Sequence, residues 1–200
     1  MIKNKKISFQ IIHLNGPSNS GKTTLAKALQ GALDPPFLHV GIDKIIGMMP
    51  EKTNKWVGGI AELGFSWKSS QDKDGNLIQE LEMGSFAKEI SESYRQIVVL
   101  LARMGHCLII DDVAFGKNEM ERWRKLLHEF QVLYVGVTSS LQVLEFREKQ
   151  RGNRMVGSAR AQYFTVHVGN QYDLELDTTL LDTKACVDLV LTKMKSQTSV

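Results

Sequence analysis

The sequence predicts an α/β fold in which a parallel sheet carries helices on both faces. Apolar, β-branched segments alternate along the 200 residues with segments of helical periodicity. Residues 107–110 are continuously apolar and lead into Asp111 and Asp112, as expected for a central parallel strand. A glycine-rich motif separates the first predicted strand from the first predicted helix. In such folds ligands bind at the carboxyl ends of the strands.

The predicted elements follow in order from the apolar pattern and its interruptions. The first strand occupies residues 7–14, and the helix after the motif stops at Asp34-Pro35-Pro36. Residues 50–85 are predicted to be the least regular part of the chain, with a turn at residues 72–76. Further strands are predicted at residues 37–41, 107–110, 132–137 and, at an edge, 174–176; further helices are predicted just after Asp43 and at residues 86–103, 118–129, 141–151 and 183–195.

The glycine-rich motif is a complete G-x-x-x-x-G-K-S/T phosphate loop. The two glycines allow a tight turn whose backbone amides point at phosphate oxygens. In this motif the lysine reaches the β- and γ-phosphates, the S/T hydroxyl binds Mg²⁺, and the following helix directs its positive N-terminus at the same phosphates. The residues expected to bind the nucleotide are Gly16, Pro17, Ser18, Asn19, Ser20, Gly21, Lys22, Thr23 and, next in the helix, Thr24.

Length and composition predict a single domain over residues 1–200, since this length suffices for one substantial core. The net charge is +3, without the basic stripe of a nucleic-acid-binding protein, and no apolar run reaches transmembrane length. Cys107 and Cys186 lack metal-binding spacing and are predicted to be free buried thiols. We therefore expect a cytoplasmic protein with no nucleic-acid or membrane partner; the sequence is compatible with a homo-oligomer.

Acidic residues follow two of the predicted strands. Asp111 ends the central strand and is the first choice for the carboxylate that supports Mg²⁺ with Thr23, while Asp112 is the alternative. The alternative is that the aspartate only caps the next turn, or that Asp111 and Asp112 are a pair of solvated carboxylates. Asp43 follows the second strand and lies across the sheet edge from the phosphate loop if the first two strands are neighbours. It is either a base for an attacking hydroxyl or an N-cap.

Arginines on the helix at residues 141–151 suggest a lid. Arg147 and Arg151 are four residues apart and share a helix face, and Arg154 follows a glycine that breaks the helix. Arginines in this position can close over the γ-phosphate and stabilise developing charge. The alternative is a solvated helix in which Glu145 and Glu148 are ion-pair neighbours.

Together these segments resemble the chloramphenicol phosphotransferase family, antibiotic-modifying enzymes of the P-loop kinase group. The resemblance covers most of the chain and is more specific than a phosphate loop alone. It is carried by residues 14–23, 40–43, 58–60, 109–113, 121–124, 135–137, 147–154, 166–167, 172–173 and 177–179.

The resemblance implies ATP- and Mg²⁺-dependent transfer of the γ-phosphate to a hydroxyl of the drug. It implies a three-layer P-loop NTPase fold of the nucleotide-kinase kind, with a five-stranded parallel sheet. It also implies that Asp43 is the general base and that a small lid, at about residues 147–160, carries Arg151 and Arg154. The acceptor would bind at about residues 44–85. In this sequence Lys44 replaces a small residue of the family.

We therefore predict an ATP-dependent O-phosphotransferase with a small-molecule hydroxyl acceptor, favouring a chloramphenicol-like antibiotic. The alternatives are a kinase for a sugar, a nucleotide-sugar or another antibiotic, and a non-catalytic nucleotide-binding protein. The same motifs serve all of these acceptors, because the fold and the phosphate loop do not determine the acceptor.

Overall fold

The computed structural model describes residues 9–152 and 155–196. The strands are β1 (Ile11–Asn15), β2 (Phe37–Gly41), β3 (Phe65–Gln71), β4 (Leu77–Met83), β5 (Cys107–Asp112), β6 (Val132–Thr138) and β7 (Leu174–Asp177). The helices are α1 (Lys22–Ala32), α2 (Ile42–Ile46), α3 (Ser85–Arg103), α4 (Gly116–Leu126), α5 (Leu141–Arg151), α6 (Ser158–Tyr163) and α7 (Thr183–Ser196), with a 3-10 turn at Glu51–Thr53.

The predicted five-stranded parallel sheet is confirmed within the described residues, in the order β2-β5-β1-β6-β7. β5 lies between β1 and β2, so the first two strands are not neighbours. The register pairs Leu14 of β1 and Gly41 of β2 with the same residue of β5, Asp111. The phosphate loop and Asp43 therefore extend from the same carboxyl edge of the sheet, on either side of β5.

Two apolar clusters cover the two faces of the sheet and make the fold three-layered. On one face Ile12 and Leu14 pack with Leu29 of α1 and with α7. On the other face Ile11 packs against α3 and against Trp123 of α4. These side chains are buried, and each contributes roughly 1.5–3 kcal/mol of burial free energy.

The prediction of irregular structure at residues 50–85 is wrong for its second half. β3 and β4 form an antiparallel hairpin, joined at the predicted turn. In that turn Oδ1 of Asp72 accepts hydrogen bonds from the amides of Asp74 (3.0 Å) and Asn76 (2.8 Å), and Gly75 has a φ of 79°. The strands were missed because their composition is polar and shows no apolar run.

Other elements lie close to their predicted positions. α4 spans Gly116–Leu126 instead of residues 118–129, because the chain turns back where the Phe130 amide donates to the carbonyl of Leu127 (3.0 Å). α6 was not predicted as a helix. Cys107 and Cys186 are free and buried, as predicted. Of the described helices, none combines the length and the hydropathy needed to cross a membrane.

Candidate active site

The phosphate loop connects β1 to α1 in a compact turn. Nζ of Lys22 donates hydrogen bonds to the carbonyl oxygens of Gly16 (2.7 Å) and Pro17 (2.9 Å). A Cβ at Gly16 would lie 2.2 Å from the carbonyl oxygen of Val137, so only glycine fits there. Gly21 has a φ of 95°, a conformation that other residues rarely adopt. Both glycines of the motif are therefore required by the geometry of the turn.

Two arginines of α5 hold the loop from one side. Asn19, in the middle of the loop, has a φ of 67°. Nη1 of Arg147 donates to the carbonyl of Asn19 (3.3 Å) and to Oγ1 of Thr178 (3.0 Å), and Nη1 of Arg151 donates to Oδ1 of Asn19 (3.4 Å). The predicted shared face of Arg147 and Arg151 is thus directed at the phosphate loop. Arg154, predicted as the second lid arginine, lies outside the described residues.

The end of β5 brings a carboxylate to the start of α1. The Thr23 hydroxyl donates to Oδ2 of Asp111 at 2.6 Å, and Nε2 of His39 lies 3.2 Å from the same oxygen. Burial by itself would raise the pKa of Asp111. Hydrogen bonds from His39 and Thr23, together with the charge of Lys22, outweigh that effect and hold the pKa below its ordinary value. Asp111 therefore stays ionised beside Thr23 at neutral pH.

Asp112 has a different environment. Its Oδ2 accepts from Nε1 of Trp123 (2.7 Å) and its Oδ1 from the amide of Val113 (2.9 Å). Burial raises the pKa of its carboxyl group. The structure places Asp111, and not Asp112, against the threonine of the phosphate loop.

Asp43 lies in the first turn of α2 and is exposed. Gly41 is the N-cap of this helix, so the interpretation of Asp43 as an N-cap is wrong. Asp43 follows the β2 residue that pairs with Asp111, and its charge acts on buried Tyr94 together with the charges of Asp111 and Asp112. Its carboxylate is accessible at the carboxyl edge of the sheet.

A cavity of about 480 Å³ opens beside the phosphate loop. This volume lies within the usual range for small-molecule and cofactor sites. The cavity lies between the loop, α5, the segment after β7 and α7. Residues that line it include Asn19, Gly21, Thr24, Phe146, Arg147, Arg151, Thr178, Leu181 and Thr183.

A series of hydrogen bonds that the sequence did not predict fixes the residue just before the phosphate loop. Asn15, the last residue of β1, exchanges hydrogen bonds with the backbone of Ala114 (2.8 and 3.2 Å) and donates to the Tyr172 hydroxyl (2.9 Å). That hydroxyl lies 2.9 Å from Nδ1 of His167. Gly136 leaves room for the Tyr172 ring, which a Cβ would approach within 2.6 Å. This hydrogen-bonded chain links the end of β1 to the segment after β5 and to the segment between α6 and β7.

The structure also revises the charged-helix alternative for α5. Glu145 pairs with Arg160 (2.8 Å). Glu148 is buried, 2% exposed, and is therefore not a solvated ion-pair neighbour. Its carboxylate binds the first turn of α6 instead.

Comparison with known proteins identifies the family. The model of the chloramphenicol phosphotransferase-like protein family matches residues 9–195. The chain belongs to this family. A protein of Mycobacterium tuberculosis that is provisionally assigned as an O-phosphotransferase is 31% identical over 172 residues, which is 85% of this chain and 75% of the relative.

Solved kinase structures share the fold of this chloramphenicol phosphotransferase-like chain. The APS kinase of Mycobacterium tuberculosis, solved with AMPPNP and APS, has a TM-score of 0.61 at 15% identity, covering 92% of this chain and 96% of the kinase. A gluconokinase from Sinorhizobium meliloti has a TM-score of 0.58 at 14% identity, covering 92% and 91%. The predicted P-loop kinase fold is confirmed, and family and fold together support a phosphotransferase.

Proposed function

We propose that this chain is an ATP-dependent O-phosphotransferase that moves the γ-phosphoryl group of ATP to a hydroxyl of a small molecule. One observation carries the proposal: the phosphate loop, the ionised Asp111 and the exposed Asp43 lie at one edge of the sheet, and a cavity of about 480 Å³ opens beside the loop. Family membership agrees with it.

ATP binds with its adenosine in the cavity and its phosphates on the loop amides. The cavity begins at Gly21 and Thr24 and passes along α5, so a nucleoside there is continuous with phosphates at the loop. Lys22 is 6% exposed and its ammonium group lies inside the loop, where it neutralises phosphate charge.

Mg²⁺ fits at Thr23 and Asp111. The hydroxyl and the carboxylate are in contact at 2.6 Å, and both supply the hard oxygen ligands that this ion prefers. Mg²⁺ in such sites is usually held by one or two protein oxygens together with substrate phosphates and water. When bound, Mg²⁺ neutralises charge on the β- and γ-phosphate oxygens.

Asp43 acts as the general base. Its carboxylate takes the proton of the acceptor hydroxyl, and the acceptor oxygen forms a bond to the γ-phosphorus. The bond between that phosphorus and the oxygen bridging to the β-phosphate breaks, and ADP leaves with the electron pair. Arg151, positioned by Asn19, supplies positive charge on the lid side of the phosphates.

The region between α2 and α3 supports an acceptor with an apolar part, as in a chloramphenicol-like antibiotic. Trp56 stacks on Phe65 with ring centroids 6.0 Å apart and planes 8° apart, and Trp67 lies against Trp56 at 6.4 Å. A sugar would need convergent hydrogen-bonding groups instead. Exposed apolar side chains of the same region include Met48, Val57, Ile60 and Leu63.

The test is ADP release from ATP and Mg²⁺ over a panel of hydroxyl compounds that includes chloramphenicol, another antibiotic, a sugar and a nucleotide-sugar. We expect release that depends on one compound, with chloramphenicol the first choice. Turnover with a sugar alone would contradict the apolar acceptor and leave the phosphotransferase in place. ADP release that no compound stimulates would contradict the proposed function.

A further inference from the structure

Gln162 of α6 contacts the phosphate loop directly. The amide of Ser18 donates a hydrogen bond of 2.6 Å to Oε1 of Gln162, across 144 residues of sequence. Gln162 is 7% exposed and Ser18 is half-buried, so this bond is partly buried. If a buried backbone amide loses its acceptor, the free energy spent on removing it from water is no longer offset by a hydrogen bond.

Gln162 belongs to α6, which is hydrogen-bonded to α5. Glu148 of α5 accepts three hydrogen bonds of 2.8 Å from the start of α6: from the amides of Gly157 and Ala159 and from the hydroxyl of Ser158. Because the carboxylate is buried, these bonds bind the two helices as one unit. The same α5 carries the arginines that bind Asn19. The α5–α6 unit therefore contacts two consecutive residues of the phosphate loop.

The hairpin holds the α5–α6 unit from its other side. The backbone amide of Gln79 in β4 donates a hydrogen bond to the carbonyl oxygen of Gly157 (3.2 Å). Arg160 of α6 bridges Asp72 in the hairpin turn (2.7 Å) and Glu145 of α5 (2.8 Å). The position of Gln162 is thus supported on both sides of α6.

The loop needs such support because Asn19 adopts a strained conformation. Its φ of 67° is uncommon for a residue other than glycine and persists only where neighbouring groups enforce it. The arginine contacts act on Asn19 itself, and the Gln162 bond orients the Pro17–Ser18 peptide, one peptide unit further upstream. With both in place, the later amides of the loop are set before a phosphate arrives.

We propose that Gln162 is a positioning residue for the phosphate loop: its side-chain oxygen holds the Ser18 amide and so preorganises the loop for ATP. The proposal rests on the proposed function only in taking ATP as the ligand of the loop. It predicts that Gln162 affects ATP binding and leaves the KM for the acceptor unchanged, because its contact lies on the loop and not in the acceptor region.

The test compares Gln162→Met, which has similar shape but no acceptor oxygen, with Gln142→Met, a matched change at an exposed position of α5. We expect Gln162→Met to weaken ATP binding about 10-fold in calorimetry and to speed hydrogen exchange of the peptide over residues 16–24 without nucleotide. Gln142→Met should match the wild type in both. Unchanged or tighter ATP binding by folded Gln162→Met would overturn the proposal; tighter binding would mean that Gln162 competes with phosphate.

Gln162→Glu separates the hydrogen bond from general damage to the helix. Its carboxylate can accept the Ser18 bond, so exchange of the loop peptide without nucleotide should return towards the wild-type rate. Exchange as fast as in Gln162→Met would overturn the positioning role. A wild-type chain that does not bind ATP would contradict the proposed function, while hydrogen exchange would still decide whether Gln162 holds the loop.

Discussion

The Thr23 hydroxyl donates a 2.6 Å hydrogen bond to Oδ2 of Asp111, although 88 residues separate the two in sequence. They meet because β1 and β5 are neighbours and Leu14, shortly before the phosphate loop, pairs with Asp111. Asp112 turns instead to Trp123. The two consecutive carboxylates therefore have separate tasks, and this separation can be measured.

Alanine at each position should affect different properties. Asp111→Ala should lower phosphotransferase turnover about 10- to 100-fold, because it removes the carboxylate beside Thr23. Asp112→Ala should lower the free energy of unfolding by about 1–3 kcal/mol, because the buried donors of Trp123 and Val113 lose their acceptor. Turnover at saturating ATP and urea unfolding test the pair. If Asp112→Ala lost the turnover and kept its stability, the assignment would be reversed.

Lys22→Met should weaken ATP binding by at least about 10-fold, since it removes the buried ammonium group in the phosphate loop. Lys27→Met, at an exposed position of α1, is the matched control. Isothermal calorimetry with ATP and Mg²⁺ measures both variants. Equal affinity of Lys22→Met and the wild type would place the nucleotide elsewhere.

Asp43→Asn should lower kcat about 10²- to 10⁴-fold while leaving the Kd for ATP nearly unchanged, because the amide cannot accept the proton of the acceptor. Asp74→Asn, an exposed change in the hairpin turn, controls for the altered charge. Steady-state kinetics with the acceptor found by the panel, alongside ATP calorimetry, provides the comparison. Wild-type turnover in Asp43→Asn would exclude the base assignment.

Tyr172→Phe should lower the free energy of unfolding by about 1–2 kcal/mol. The ring keeps its place beside Gly136, but Asn15 and His167 lose the hydroxyl that lies between them. Tyr163→Phe, at a more exposed ring, should change stability little. Urea unfolding of both variants checks this; equal stabilities would show that the hydrogen-bonded chain contributes nothing.

His13 should make stability depend on acid pH. Burial between Trp123 and Tyr134 (ring centroids 5.2 and 5.6 Å away) lowers the pKa of His13 to about 3 from 6.5. Between these values the unfolded chain binds a proton that the folded chain does not. The contribution is therefore fully present above pH 6.5 and is lost as the pH falls towards 3, by about 1.4 kcal/mol per pH unit.

The check is urea unfolding of wild type and His13→Phe from pH 7 downwards. We expect the variant to lose stability less steeply below about pH 6.5. His106→Phe, at an exposed histidine, should follow the wild type. Parallel curves for wild type and His13→Phe would mean that His13 titrates alike in both states.

Sequence predicted the central elements well because local patterns specify them. The strand ending at Asp111 is a continuous apolar run, α3 buries one apolar face, and the glycines of the phosphate loop are required by its own turn. Their meeting at one sheet edge follows from parallel topology. The order of β1, β5 and β2 does not follow from local pattern, so the sequence left open whether β1 and β2 are neighbours, and the structure places β5 between them.

The contacts around the loop could not be predicted because they depend on distant pairings. Tyr172 meets Asn15 across 157 residues, and Gln162 meets Ser18 across 144. A lone tyrosine or glutamine carries no signal of such a partner. The hairpin escaped detection for a related reason: its strands gain stability from each other and from α6, and not from an apolar run.

Phosphoryl transfer to a small molecule can be measured with ATP labelled at the γ-phosphate, Mg²⁺ and each compound of the panel, followed by chromatography of the products. We expect label on the hydroxyl of an organic acceptor, lost in Asp43→Asn and in Lys22→Met. Label found only as inorganic phosphate, at a rate that no compound changes, would contradict it.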